Sequence, residues 1–327
     1  METRVMNFRI CQICNIKYPI FLGPMMHISK APLVVAFSEA GGLGCLATSG
    51  MPEKEFHEQT ELIRRQTHLP FAINIAWATP NAEKILQWGI EDNIGIFISS
   101  AGLPRKNLER IKSAGGKIFQ VVANVAQASK AEAIGVDGVI AKGLESGGLN
   151  ALNAVATLPL IPQVVDAVSI PVIAAGGIGD GRGLAATLAL GAEGVLIGTR
   201  FLVAQECLIH DNYKNAIVSA IDTDTVSLNF PAFSIRLWRN ERAMELKDGI
   251  IDEDLFWKLA AEISQESNIQ RGILAAGQIA GLVRRLSPVS KVIEEMIIGF
   301  EMAVSRLQTL SSDLHSLQNS STKLEKI

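Results

Sequence analysis

The chain has 327 residues and a formal net charge of −3, and 48% of its residues are hydrophobic. This length and composition allow one large core with an appended element. The charge balance excludes a general nucleic-acid or membrane surface, the apolar runs are too short to cross a bilayer, and residues 1–10 lack an apolar signal segment. We therefore expect a cytoplasmic globular protein with no nucleic-acid partner and no membrane partner.

Short apolar runs alternate with helical patterns along the first two thirds of the chain. The runs that predict strands are residues 20–22, 43–47, 71–75, 94–98, 117–122, 138–141, 172–175 and 194–197. The patterns that predict helices are residues 53–66, 81–88, 106–114, 127–134, 162–168 and 183–190. Nearly all-apolar strands are typical of parallel strands covered on both faces, so eight such units predict an α/β fold, a (β/α)8 TIM barrel. An open doubly wound sheet is the alternative, but it does not explain why glycine-rich turns follow so many strands.

The chain changes character after residue 205. Helical patterns cover residues 254–264, 270–286 and 290–308, with polar connections between them. We expect a barrel over residues 1–205 and a mainly helical subdomain over 206–310 that packs on it. Residues 311–327 mix serines with charged residues and predict a frayed or disordered tail.

Glycine-rich turns follow the last two predicted strands. Gly176 and Gly177 come directly after residues 172–175, and Gly198 and Thr199 come directly after residues 194–197. In barrels these two loops often bind phosphate, because glycine lets backbone N–H groups approach the anion and a helix N-terminus adds positive potential. Thr199 can add a hydroxyl donor. The pattern predicts a phosphate site at the barrel mouth, and tight turns without a ligand are the structural alternative.

The four cysteines do not form a metal motif. Cys11 and Cys14 have the spacing of a metal or redox pair, but no second pair and no nearby histidine accompany them in the sequence. We expect ordinary reduced thiols and no metal ligands.

Seven segments, taken in order, resemble the nitronate monooxygenases (2-nitropropane dioxygenases) and the FMN-dependent enoyl-ACP reductases. They are YPIFLGPM at 18–25, EAGGLG at 39–44, IPVIAAGGI at 170–178, DGRG at 180–183, LGAEGV at 190–195, GTRF at 198–201 and AGQIAGL at 276–282. The resemblance implies an FMN-binding flavoprotein oxidoreductase that acts on a small-molecule or acyl-thioester substrate. It leaves open whether NADH or NADPH is the reductant and whether the protein is a homodimer.

The resemblance also implies which residues contact FMN. The flavin ring and its ribityl chain would meet Gly23, Pro24, Met25, Asn74, Gln120, Gly147 and Gly148, and the phosphate would meet Gly176, Gly177, Gly198 and Thr199. These positions fall at the C-terminal ends of predicted strands, where barrel active sites lie. For Asn74, a role in capping the strand end is the alternative.

One position departs from the family pattern. After the sixth predicted strand the sequence is Glu145-Ser146-Gly147-Gly148-Leu149, and Leu149 stands where the family has a histidine. Leucine cannot transfer a proton, so proton abstraction from a nitroalkane, or protonation after hydride delivery to an enoyl thioester, loses its usual agent. His27, Lys142 and Glu145 are the titratable candidates for a catalytic role. A solvated loop histidine and a Lys142–Glu145 ion pair are the structural alternatives.

Three functions remain open at this point. The first is an FMN-dependent oxidoreductase of the nitronate monooxygenase or enoyl reductase type, in fatty-acid, polyketide or other secondary metabolism. The second is an NAD(P)H:quinone-type reductase, which tolerates the missing histidine because a quinone can take its protons from solvent. The third is a flavin-binding but catalytically idle partner protein of a biosynthetic complex.

Overall fold

A computed structural model describes residues 8–248 and 268–324 of the chain. The helix predicted for residues 254–264 lies outside the described residues. None of the helices in the described part is long and apolar enough to cross a membrane.

The strands follow the predicted series closely. They are β1 (Ile20–Leu22), β2 (Gly44–Ala47), β3 (Phe71–Ala76), β4 (Ile96–Ser100), β5 (Lys117–Val122), β6 (Gly138–Lys142), β7 (Gly148–Ala151), β8 (Val172–Ala175), β9 (Gly194–Ile197), β10 (Thr225–Asn229) and β11 (Phe233–Trp238). Eight of them form one parallel sheet in the order β1-β9-β8-β6-β5-β4-β3-β2. A parallel bridge between Phe21 and Leu43 joins the two ends of this sheet. The predicted TIM barrel is confirmed, and the boundaries of its strands agree with the prediction to within two residues.

Helices connect the strands and surround the barrel. They are α1 (Arg9–Cys14), α2 (Ala31–Glu39), α3 (Glu53–Gln66), α4 (Ala82–Glu91), α5 (Arg105–Ser113), α6 (Val125–Ile134), α7 (Thr157–Ala167), α8 (Gly181–Ala189), α9 (Asp211–Val218), α10 (Glu241–Asp248) and α11 (Val289–Leu324). Helices α1 and α2 were not among the predicted elements. Cys11 and Cys14 are buried thiols in α1 or at its end, and burial raises the pKa of Cys11 to about 12.

The core has an inner and an outer layer. Inside the barrel, the rings of Phe21 and Phe119 meet edge to face, with centroids 5.6 Å apart, across the lumen from opposite strands. Outside it, helices pack on the strands, and α11 crosses α8 at backbone contact. A Cβ on Gly181 would lie 2.3 Å from the carbonyl oxygen of Met296, so only glycine permits this crossing.

The region after residue 205 differs from its prediction. Strands β10 and β11 form an antiparallel sheet with β7, which comes from the loop after β6. Residues 270–286 were predicted as a helix, but the helical part there is a short 3-10 turn, Gln278–Leu282. The long helix α11 includes the predicted range 290–308 and continues to residue 324, through residues expected to form a tail. Residues 225–229 (TVSLN) and 233–238 (FSIRLW) alternate apolar and polar side chains, a strand pattern that the helical prediction overlooked.

Candidate active site at the mouth of the barrel

The side chains that face the lumen follow from the strand register. Phe21 points inward, and its partners along neighbouring strands are Leu196, then Ala175, then Lys142. Phe119 also points inward, and its partners on the other side are Ile98 and then Asn74. Because paired residues of parallel strands share a face, Lys142 and Asn74 both point into the lumen. At the C-terminal ends of the strands Val121, Lys142 and Leu196 keep accessible surface, while Ile140 and Ile173 below them are fully buried.

The loops after β8 and β9 present main-chain donors. Gly176 and Gly177 have φ values of +94° and +71°, which residues other than glycine rarely adopt. Within the described chain, no protein acceptor takes the N–H groups of Gly176, Gly177 or Thr199. A 3-10 helix begins at Thr199, and the Thr199 Oγ1 accepts a hydrogen bond of 2.9 Å from the Gly277 N–H, leaving its own hydrogen free to donate. This cradle of unpaired donors fits an anion such as a phosphate.

The loop after β1 lies against the same region. A Cβ on Gly23 would be 3.1 Å from the Gly198 Cα, so these two predicted contact residues are neighbours. The fully buried Ser29 holds the loop, because its hydroxyl donates to the Gly23 carbonyl and accepts from the Met25 N–H, both at 3.1 Å. Ser29 has no motif that would have singled it out in the sequence.

The loop after β6 carries the charged candidates. The Lys142 Nζ donates to the Leu149 carbonyl, and burial lowers the pKa of Lys142 to about 8. The Glu145 carboxylate is occupied otherwise: it accepts from the Thr157 N–H at 3.0 Å and from the Thr157 hydroxyl at 2.9 Å. Glu145 therefore caps the start of α7 instead of pairing with Lys142. Thr157, the partner that fixes this carboxylate, was missed by the sequence reasoning.

Gly147, Gly148 and Leu149 sit where three segments meet. A Cβ on Gly147 would lie 2.7 Å from the Gly277 nitrogen, so Gly147 is needed for the close approach of residues 276–277. Gly148 has φ of +71° with open space around it. Leu149 pairs with Ile235 of β11, and 44% of its surface is exposed. The site thus offers an exposed leucine whose backbone carbonyl accepts a hydrogen bond from the Lys142 ammonium.

Asn74 and Gln120 have different outcomes. Asn74 faces the lumen, and its Nδ2 donates to the Ile98 carbonyl at 3.1 Å, so it also links β3 to β4. Gln120 was expected near the flavin, but it neighbours Phe119 and pairs with Ser99, so it lies on the outer face of β5. Successive side chains of a strand point to opposite faces, so a shift of one residue moves a side chain from the lumen to the outer face. Similarity to a motif does not indicate on which face a residue lies.

His27 lies on the mouth loop, as expected, in a left-handed conformation with φ of +61°. Burial lowers the pKa of His27, the Lys30 ammonium lowers it further, and the Glu55 carboxylate opposes the shift. Its charged neighbours are therefore Lys30 and Glu55, which form an ion pair of 3.0 Å, rather than Lys142 or Glu145. A lowered pKa keeps this imidazole neutral at neutral pH.

Comparisons with known proteins agree with this geometry. A family model described as nitronate monooxygenase matches residues 7–299. A probable nitronate monooxygenase of Staphylococcus saprophyticus is 31% identical over 86% of this chain and 94% of that protein. An octahydro-indene carboxyl-CoA dehydrogenase of Mycobacterium tuberculosis is 29% identical over 93% of this chain and 98% of that protein. The structure of FabK from Thermotoga maritima superimposes with a TM-score of 0.89 at 34% identity, covering 94% of this chain and all of the other.

The barrel and its anion cradle define a cofactor-binding oxidoreductase of the (β/α)8 class. The chain belongs to the nitronate monooxygenase family. It is accordingly a flavin-dependent oxidoreductase of the nitronate monooxygenase and enoyl reductase type.

Proposed function

We propose that this protein is an FMN-dependent oxidoreductase that reduces the α,β carbon–carbon double bond of an acyl thioester, with NADH or NADPH as the electron source. The observation that carries the proposal is the pair formed by Lys142 and Leu149 at the mouth. An ammonium group lies in the lumen and hydrogen-bonds the backbone of an exposed leucine. The ammonium can stabilise the negative charge that a thioester carbonyl oxygen gains during reduction, and the leucine suits an apolar chain beside that carbonyl.

The cradle for the phosphate supports FMN as the cofactor. The free N–H groups of Gly176, Gly177 and Thr199 can surround one terminal phosphate. Gly23 lies next to Gly198 and Asn74 faces the lumen, which supports these residues, with Met25, as contacts for the ring end of the molecule. FMN is favoured over FAD because the sequence has no separate Gly-x-Gly-x-x-Gly unit for an adenosine half. When bound, FMN supplies a two-electron carrier that exchanges hydride with a substrate.

Lys142 is the residue for proton transfer and carbonyl binding. With a pKa of about 8, its Nζ is mostly protonated at pH 7 and can donate a hydrogen bond to the thioester carbonyl oxygen. The same Nζ can release a proton to the carbon next to the carbonyl while hydride reaches the β-carbon, which balances the reduction. A pKa near the working pH is what general acid catalysis requires.

Leu149 shapes the rest of the substrate's surroundings. Its exposed side chain forms an apolar wall next to the Lys142 hydrogen bond. An acyl chain gains free energy by covering this leucine, whereas a nitronate does not. The name of the M. tuberculosis relative, a carboxyl-CoA dehydrogenase, supports a thioester substrate for this chain too.

Anaerobic spectroscopy of the purified protein tests the proposal. We expect FMN as the released cofactor, bleaching of the flavin by NADH or NADPH, and fast reoxidation by a 2-enoyl thioester such as crotonyl-CoA. Reoxidation by a quinone alone would favour the quinone reductase. Turnover of propionate 3-nitronate without any response to the thioester would overturn the proposal, and a flavin that no substrate reoxidises would indicate an idle binding protein.

Variants separate the role of Lys142 from flavin binding. Lys142→Met should slow reoxidation by the thioester by ~10²-fold or more and leave bleaching by the nicotinamide within about threefold. The matched control is Lys130→Met, because Lys130 is exposed on α6. Equal rates in the Lys142→Met variant and the wild type would show that another group carries the proton.

A further inference from the structure

The first turns of helix α11 pack on the rest of the described chain, which we call the body, and its later turns extend away from the body into solvent. Near its start Val289, Val292, Ile293 and Met296 are at most 2% exposed. Farther along, Leu307, Leu310 and Leu314 are 55%, 48% and 62% exposed. The 24 residues after Phe300 extend the helix by about 36 Å at ~1.5 Å per residue.

The exposed leucines belong to a heptad pattern. Apolar residues recur at alternating intervals of three and four along the helix, at Ile293, Met296, Phe300, Ala303, Leu307, Leu310, Leu314, Leu317 and Leu324, with Ser321 as the one polar member. These are the a and d positions of a coiled coil. The first positions pack against the body, and Leu307, Leu310 and Leu314 of the same stripe face solvent in this single chain.

The distal part of α11 has a composition that does not favour an isolated helix. Nine of the eighteen residues from 305 to 322 are Ser, Thr or Asn. These residues have modest helix propensity, and single helices in water are marginal even with better sequences. A helix of this composition is stabilised mainly by packing of its apolar stripe.

An apolar groove lies at the base of the stripe. It has a volume of about 400 Å³ between α8 and α11 and is lined by Ala185, Leu188, Ala189, Phe300, Val304 and Leu307. The groove and the stripe share Leu307, so together they form one continuous apolar surface. A second helix with large side chains at heptad spacing would fill it.

We propose that this surface binds a second copy of the chain, and that two α11 helices pair in an antiparallel coiled coil. The stripe is self-complementary, as a twofold dimer requires. In an antiparallel pair the distal leucines of each helix reach the groove at the base of the other. Arg306 and Asp313 both occupy the g position, which in antiparallel pairs faces the g position of the partner helix, so opposite charges meet when the two helices cross midway between these residues. In a parallel pair Arg306 would face Ser311 of the other helix instead.

Sedimentation of the flavin-loaded full-length protein at micromolar concentration tests the proposal. The wild type should have twice the mass of the 35.2 kDa chain. The double variant Leu310→Glu with Leu314→Glu should be monomeric at the same concentration, with flavin content and spectrum unchanged. The matched control, Met302→Glu, changes a residue that is 69% exposed on the opposite face of the helix and should stay dimeric. A monomeric or higher-order wild type, or equal dissociation by Met302→Glu, overturns the proposal.

A charge exchange tests the direction of the helices. Arg306→Glu should weaken the dimer roughly fivefold, because two exposed pairs of modest strength become repulsive. Adding Asp313→Lys should restore the wild-type dissociation constant in the antiparallel arrangement. Failure of the second substitution to restore it overturns that arrangement.

Discussion

The two sides of the barrel mouth are built in different ways. The side formed by the loops after β8 and β9 offers main-chain N–H groups, held in place by the positive φ angles of Gly176 and Gly177. The side formed by the loop after β6 offers the side chains of Lys142 and Leu149. The first side can bind any phosphate-bearing cofactor of suitable shape, whereas we propose that the second decides the chemistry and the substrate. A change in the second side can therefore alter the reaction without loss of the cofactor.

The largest expected effect is on FMN affinity, through the loops after β8 and β9 that offer main-chain N–H groups. Gly177→Val should raise the dissociation constant of FMN by at least ~100-fold, which is about 2.8 kcal/mol. A β-branched residue is strained at φ of +71°, and its side chain would enter the space of the phosphate. A Cβ there would be 3.5 Å from Glu145, an ordinary contact, so the barrel should still fold. Flavin fluorescence titration measures the constant.

The control for this variant is Gly115→Val. Gly115 has φ of +78° and no atom within 4 Å of an added Cβ, but it lies between α5 and β5, at the other end of the barrel. It imposes similar backbone strain without touching the mouth. Full FMN occupancy in the Gly177→Val protein would show that this loop does not hold the phosphate.

The pH dependence of flavin reoxidation tests the role of Lys142, on the side of the mouth formed by the loop after β6. Below its pKa of about 8 the Lys142 amine is protonated and can act as an acid, and above that pH it loses the proton. The rate of flavin reoxidation by an enoyl thioester should therefore be highest below pH 8 and fall as the pH rises. In Lys142→Met the rate should be lower, and stopped-flow measurements should no longer show this fall. A wild-type rate that rises through pH 8 would mean that the neutral amine, acting as a base, is the active form.

A smaller effect is expected from placing on the same side the histidine that the family resemblance implies at position 149. Leu149→His should raise activity towards the neutral nitroalkane 2-nitropropane by ~10-fold or more, because an imidazole can abstract its α-proton and leucine cannot. Leu152→His is the matched control, since Leu152 is 45% exposed against 44% for Leu149 and lies just beyond β7. If the Leu149→His protein binds FMN and gains no activity, more than one catalytic group differs from the family.

The smallest effect is structural. Glu145→Gln should lower the free energy of unfolding by about 1 kcal/mol, because the carboxylate that caps α7 through Thr157 is replaced by a neutral amide. The reoxidation rate should change little, since Glu145 is a capping residue and not a catalytic one. Urea unfolding of this variant, beside Glu58→Gln with its exposed carboxylate on α3, measures the difference. A loss of activity without a loss of stability would assign Glu145 to the chemistry.

Several features of the mouth and of the region after residue 205 differ from the prediction or were absent from it. Gln120 was expected at the flavin, yet strand alternation puts it on the outer face of β5. Strands β10 and β11 lie where a helical region was predicted; they form a local hairpin, and only β11 pairs with β7, about 80 positions earlier in the chain. Ser29 and Thr157 hold the mouth loops through single hydrogen bonds that leave no motif.

The sequence by itself determined the barrel and the glycine-rich loops at its mouth. Apolar runs of strand length separated by amphipathic segments favour parallel strands alternating with helices. Glycines directly after strands indicate backbone conformations that other residues avoid. Only the tertiary structure decided that Glu145 caps a helix, that Lys142 points into the lumen with a lowered pKa, and that Leu149 is exposed beside it. Those properties depend on distant neighbours, because hydrogen bonding, burial and charge act through space and not along the chain.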